Sequence, residues 1–180
     1  MKRMTRHIST YITVALLALA AWCPAAAQTD CDGYHKFNCD RSGDARFSVN
    51  GQSRSAPVKV GEETELNVIV YRAQDYRISL CHDEKVLGEA LAIRLVEKVR
   101  VRKQGGDPAK PEYEETEKVL WDNTEHEMVQ EIEFSCTATK RIAVEVNAPG
   151  PAERKGRTPD EDIGCVGILI EHMPTPGLGF

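Results

Sequence analysis

His82, Asp83 and Glu84 form the densest polar cluster beside a predicted strand end. With His126 and Glu127 they would supply two imidazoles and several carboxylates, a ligand set suited to zinc or manganese. A metal-dependent hydrolase built on His82, Asp83, Glu84 and His126 is therefore one reading of the chain. The spacing argues against it, because the helical motif that sets two histidines on one face is absent. The acidic run Asp160-Glu161-Asp162, and Asp122 with Asn123, offer oxygen ligands of the kind calcium takes. Neither has the alternating loop with a turn glycine that calcium sites use. Ser48, Ser53, Ser55, Ser79 and Ser135 all lie outside a nucleophile-elbow context. A cysteine nucleophile needs a partly exposed thiolate beside a histidine, and Cys136 falls on the apolar face of its strand. No catalytic residue, resident metal or cofactor is assigned, and binding is favoured over catalysis.

The elements that would position these residues read as strands. From Glu127 to Asn147 two strands flank the polar turn Thr137-Ala138-Thr139-Lys140. Met128, Ile132, Phe134 and Cys136 share one face of the first, and Ile142, Val144 and Val146 share one face of the second. Alternation of period two marks half-buried antiparallel strands. Arg46–Val49, Val58–Val60, Glu65–Tyr71, Tyr76–Cys81 and Lys118–Trp121 are further strand candidates. Leu87, Leu91 and Leu95 fit a helix face, but the Val and Ile content from Ala90 to Arg102 favours a strand there. Gly164–Glu171 is apolar on both faces, as a central or doubly covered strand is. Residues 104–117 and 148–163 read as charged, proline-containing loops, the first a mobile hairpin excursion. About eight short strands and no convincing helix predict an all-β, disulfide-stabilised antiparallel β-sandwich or jelly roll.

Export is written at the N-terminus. Lys2, Arg3 and Arg6 precede the apolar run Ile12–Ala21, and Ala25-Ala26-Ala27 suits signal peptidase, so residues 1–27 read as a signal peptide. Lipidation at Cys23 is disfavoured by bulky Trp22 before it, and the apolar run is short for a membrane anchor. The organisation expected is a signal peptide (1–27), a disulfide-tethered segment (28–44), a β-sandwich domain (45–173) and a tail (174–180). Losing Lys2, Arg3 and Arg6 from the 23 basic residues leaves 20 against 28 acidic ones, a net charge of −8. That balance argues against a nucleic-acid partner, which needs a basic patch. No later run is long enough to cross a bilayer, so no transmembrane segment is expected in the mature chain. The location is periplasmic, cell-surface or extracellular.

An exported chain meets an oxidising compartment, and no cysteine spacing matches a zinc pattern. Sequence-local closure predicts Cys31–Cys39. Shared phase, opposite the apolar faces of their strands, predicts Cys81–Cys165 and leaves Cys136 a free thiol. Tyr34, His35 and Phe37 then sit in the loop closed by Cys31 and Cys39. Tyr71 and Trp121 are the aromatics that a carbohydrate platform would use, if their strand phases expose them.

Asp75–Cys81 and Val119-Leu120-Trp121-Asp122-Asn123, followed by Glu131–Cys136 and Arg141–Val146, resemble the small jelly-roll domains of the pre-peptidase C-terminal type. These are appended to secreted bacterial hydrolases. The resemblance covers about residues 64–147 and rests on pattern; it implies a β-sandwich that acts as an accessory or binding module. The chain departs from it in its added cysteines and in having no catalytic domain to serve. The reading is an exported, non-catalytic binding or accessory protein of the bacterial envelope, its partner another envelope or secreted protein. A structural subunit of an envelope assembly is the remaining alternative.

Overall fold

The computed structural model describes residues 31–103, 110, 112–152 and 162–177. The expected signal peptide, Asp160 and Glu161 lie outside the described residues. Nine strands build two antiparallel sheets: β1 (Ser48–Val49), β2 (Arg54–Lys59), β3 (Glu63–Val70), β4 (Gln74–His82), β5 (Ala92–Arg102), β6 (Tyr113–Asp122), β7 (Glu131–Cys136), β8 (Lys140–Asn147) and β9 (Ile163–Pro174). The first sheet runs β1-β9-β4-β7, with β2 also on β9, and the second runs β3-β8-β5-β6. Among the described residues there are also two short α-helices, α1 (Tyr34–Asn38) and α2 (Glu84–Leu87), and a 3-10 turn at Asn123–Glu125. This is the disulfide-stabilised β-sandwich that the alternation predicts.

The inner faces follow the period-two pattern. Leu66, Val68 and Val70 of β3, Tyr76, Ile78 and Leu80 of β4, and Ile142, Val144 and Val146 of β8 all enter one core. Each such side chain contributes roughly 1.5–3 kcal/mol on leaving water. The last strand is central, held by β4 on one side and by β1 and β2 on the other.

Three expectations are corrected. The strands around Thr137 do not pair with each other: β7 pairs with β4 in the first sheet, while β8 pairs with β3 and β5 in the second. Alternation reports which face is apolar, and facing apolar rows are equally satisfied across the sandwich. The first strand also starts late, at Glu131, because Glu127 and Met128 both adopt left-handed backbone, φ 55° and 57°. Finally, the charged excursion ends early, since β6 begins at Tyr113.

The disulfides are a fourth correction. Cys31 bonds Cys165 and Cys39 bonds Cys81, in place of Cys31–Cys39 and Cys81–Cys165. Helix α1 lies between Cys31 and Cys39 and points them at two neighbouring strands, so each bridge runs from the N-terminal segment to the sheet. In the chain-entropy picture, closing loops of 42 and 134 residues is worth about 4–5 kcal/mol for either bridge alone. Cys136 is free and buried.

The N-terminal segment thus covers the outer face of β4 and β9, and this explains why both faces of β9 are buried. The contact is close at Gly167, where an added Cβ would stand 2.7 Å from Cys81 Sγ, 2.7 Å from His35 Cα and 2.9 Å from Cys39 Sγ. Beside it Arg77 donates to Glu171 Oε2 at 2.7 Å and to the Asp40 carbonyl at 3.1 Å, and it bonds Glu131. Glu171, 1% exposed, also accepts from the Ser42 amide at 2.9 Å. A buried ion pair persists only when such additional bonds satisfy it.

Two outcomes are expected. Gly167→Ala should lower stability by roughly 1–3 kcal/mol through overpacking, read as a fall in the urea midpoint; an unchanged midpoint would show that the bridges do not press on β9. Peptide mapping of unreduced protein should recover Cys31 with Cys165 and Cys39 with Cys81, and a peptide joining Cys31 to Cys39 would refute this pairing.

Candidate functional site

The polar residues singled out for chemistry are dispersed among structural tasks. His82, at the end of β4, has its Nε2 2.9 Å from the Gly88 carbonyl oxygen. Asp83 caps α2, accepting from the Lys85 amide at 3.2 Å, and Glu84 is the first residue of that helix. His126 closes the turn after β6, its ring stacked on Trp121 with centroids 5.8 Å apart. Among the described residues no group of three or more His, Cys, Asp or Glu side chains gathers as a metal site. Asp122 accepts from the Thr124 hydroxyl at 2.7 Å and from its amide at 2.9 Å. Those bonds hold its carboxyl below the usual range, so this side chain serves as the cap of a turn. Asn123 is fully buried, accepting from the Ile93 amide and donating to the Leu91 and Val129 carbonyls.

Sequence reasoning did not single out His35 with Ser55. The His35 amide donates to Ser55 Oγ at 2.8 Å, and the same oxygen lies 2.8 Å from His35 Nδ1. The pair fastens α1 onto β2. It edges a cleft of about 620 Å³ between the N-terminal segment and the β1–β2 turn, floored by Leu169. The polar groups of this cleft are largely engaged: Arg41 reaches Glu171 at 3.6 Å, Ser53 bonds the backbone of Ile170, and the Arg54 guanidinium donates across the sandwich to the Asn67 carbonyl.

Burial, reinforced by the Lys36 charge, pushes the His35 imidazole below its ordinary range, against a smaller raising influence from Asp32. The unfolded chain then takes up a proton at higher pH than the folded one. Stability from this residue is full above the ordinary imidazole range and is lost as pH falls through it towards the lowered folded value. Replacing His35 by Gln should flatten the fall in urea midpoint between about pH 7 and pH 5; an unaltered slope would mean that another group sets it.

The open part of the molecule is the side where β6 and β7 lie. They end their respective sheets, and each pairs with one neighbour only among the described residues. The sheets part there over a cleft of about 200 Å³ lined by Val70, Leu95, Trp121, Ile132, Phe134 and Cys136. The Cys136 thiol is turned away to the Ala138 carbonyl at 3.0 Å. The register of β5 and β6 slips between Leu95 and Val96, which leaves Leu120 without a partner at the rim, 39% exposed. Val119 beside it is 49% exposed.

The opposite edge is treated differently. The Gln52 side chain accepts from the Ile69 amide and donates to its carbonyl, both at 2.8 Å, as a neighbouring strand would. Arg54 takes the Asn67 carbonyl at 2.6 Å. Side chains therefore occupy hydrogen-bonding positions along β3. Among the described residues no side chain does this for the outer edge of β6. Unpaired strand edges are natural templates for another chain. The sequence signal for β6 was available in complementary charge: Lys98 stands opposite Glu117 and Arg100 opposite Glu115.

The class of protein so defined is a disulfide-tied antiparallel β-sandwich with one blocked and one open strand edge. No protein-family model matches the chain, and no curated protein matches it. Among solved structures it is similar to a periplasmic inhibitor of g-type lysozyme from Aeromonas hydrophila, PliG. The identity is 7% and the TM-score 0.34, over 74% of this chain and 90% of that one. A likeness of that size fixes neither fold nor function. Among the described residues no helix is long and apolar enough to cross a membrane.

Proposed function

We propose that this chain is an exported, non-catalytic binding protein of the bacterial envelope that holds a partner protein along the open edge of β6. The observation that carries the reading is the contrast between the two edges of one sheet. Gln52 and Arg54 block β3, whereas β6 keeps a free edge beside an apolar cleft rimmed by Leu120. Main-chain bonds to an added strand supply affinity, and the cleft supplies a pocket for one of its side chains.

Export is supported by the signal-like pattern of residues 1–27 and by two disulfides, which persist in oxidising compartments. A binding role agrees with the engagement of His82, Asp83 and His126 in local structure. It also agrees with the accessory role implied by the sequence resemblance.

Leu120→Lys places a charge on the edge, the device by which natural edge strands repel partners. Immobilised wild-type protein should retain an envelope partner that Leu120→Lys loses, with the melting temperature unchanged. Ile69→Lys, equally exposed on the blocked edge of β3, should retain it. Retention by Leu120→Lys, or equal loss by both variants, would overturn the reading.

A further inference from the structure

We infer that the segment received by β6 is a basic, extended stretch of a partner protein. The inference rests on the edge reading above and specifies its chemistry.

Along one row of the outer face, charge alternates from β8 through β5 to β6. Glu145 of β8 stands opposite Arg94 of β5, and Arg94 stands opposite Asp122 of β6. Past the apolar pair Val96–Val119, Lys98 faces Glu117, and beyond it Arg100 faces Glu115. Two cations of β5, Arg94 and Lys98, lean inward across the sheet, away from β6. Arg94 bonds Glu145 at 2.6 Å and lies 3.7 Å from Glu63, and Lys98 bonds Glu65 of β3. Glu115 and Glu117 stand on this face of the edge strand with no cation at ion-pair distance among the described residues. The pairing of cations on β5 with carboxylates on β6 stops at an open edge on its anionic member. The strand that continues it carries Lys or Arg at every second residue.

Oppositely charged residues directly across a strand pair stabilise it, and like charges oppose it. A second copy of this chain offering its own β6 would bring the carboxylates of this face, Glu115, Glu117 and Asp122, towards those of its counterpart. Self-association along this edge is thereby disfavoured. A basic partner meets the same row with attraction, and its approach is steered by the acidic balance of the whole chain, formally −5.

The test uses the folded protein, disulfides intact, and three labelled ten-residue peptides of alternating Lys/Val, Thr/Val and Glu/Val, with binding read by fluorescence anisotropy. The Lys/Val peptide should bind tightest and weaken as salt rises, and the Glu/Val peptide should not bind. Glu115→Gln combined with Glu117→Gln should weaken the Lys/Val peptide by roughly tenfold while leaving the Thr/Val peptide unchanged. Equal binding of Lys/Val and Thr/Val would sink the basic preference while sparing the edge reading. Lys/Val binding that the double variant leaves intact would place the peptide elsewhere and refute the inference. Failure of every peptide, together with a Leu120→Lys variant that keeps its envelope partner, would overturn both. Dimerisation in sedimentation that Leu120→Lys abolishes would make a second copy the occupant instead.

Discussion

Everything on the outer face of the first sheet depends on the N-terminal segment being held against β9. Two bridges from Cys31 and Cys39 fix it, and the contact closes only because position 167 has no side chain. Once that face is covered, Arg77 and Glu171 are out of water and must satisfy each other, with Glu131, the Asp40 carbonyl and the Ser42 amide completing the set. A β-sandwich of this size buries one face of each sheet. Here covalent closure lets a 12-residue strand, β9, be buried over most of its length on both faces. The result is a rigid half of the molecule from which the second sheet is displayed.

The two sides of the sandwich are finished in opposite ways. On one, β2 lies over β3 and the Gln52 amide imitates the hydrogen bonding of an added strand. On the other, β6 and β7 diverge over Trp121 and Phe134, with Leu120 pushed to the rim by a register slip. Exposed Val119 and Leu120 would sit poorly with a chain that had no use for this edge, since an unpaired strand with apolar residues invites association. On the proposed reading, the carboxylates of β6 restrain association with its own kind and leave the edge to a strand of opposite charge. One edge of this sheet is thus blocked by side chains, and the other carries charge.

The chemistry-bearing residues show how a polar cluster in sequence dissolves into structure. His82 and Asp83 secure the turn around α2, Asp122 caps the turn that follows β6, and Asn123 ties three backbone segments together from a fully buried position. Each satisfies backbone groups that would otherwise be left unpaired at strand ends, a requirement that falls on any sandwich loop.

The sequence by itself determined the strands and their faces, because alternation is a local property: Leu66, Val68 and Val70, or Ile142, Val144 and Val146, announce a buried row whatever lies opposite. It also determined that β9 is central, since a strand apolar on both faces has no place at an edge. It did not reveal that β7 and β8 belong to different sheets, because an apolar row is satisfied equally by a strand beside it or a sheet above it. The bridge pairing was equally hidden: a short loop made Cys31–Cys39 economical in entropy, but α1 turned both thiols towards the sheet. The open edge of β6 was masked by its own composition, since Glu114, Glu115 and Glu117 read as loop until β5 set cations opposite two of them. Face is encoded in neighbours along the chain; strand partner is decided only when distant segments compete for the same space, and among the described residues that competition covered the edge of β3 and left that of β6 open.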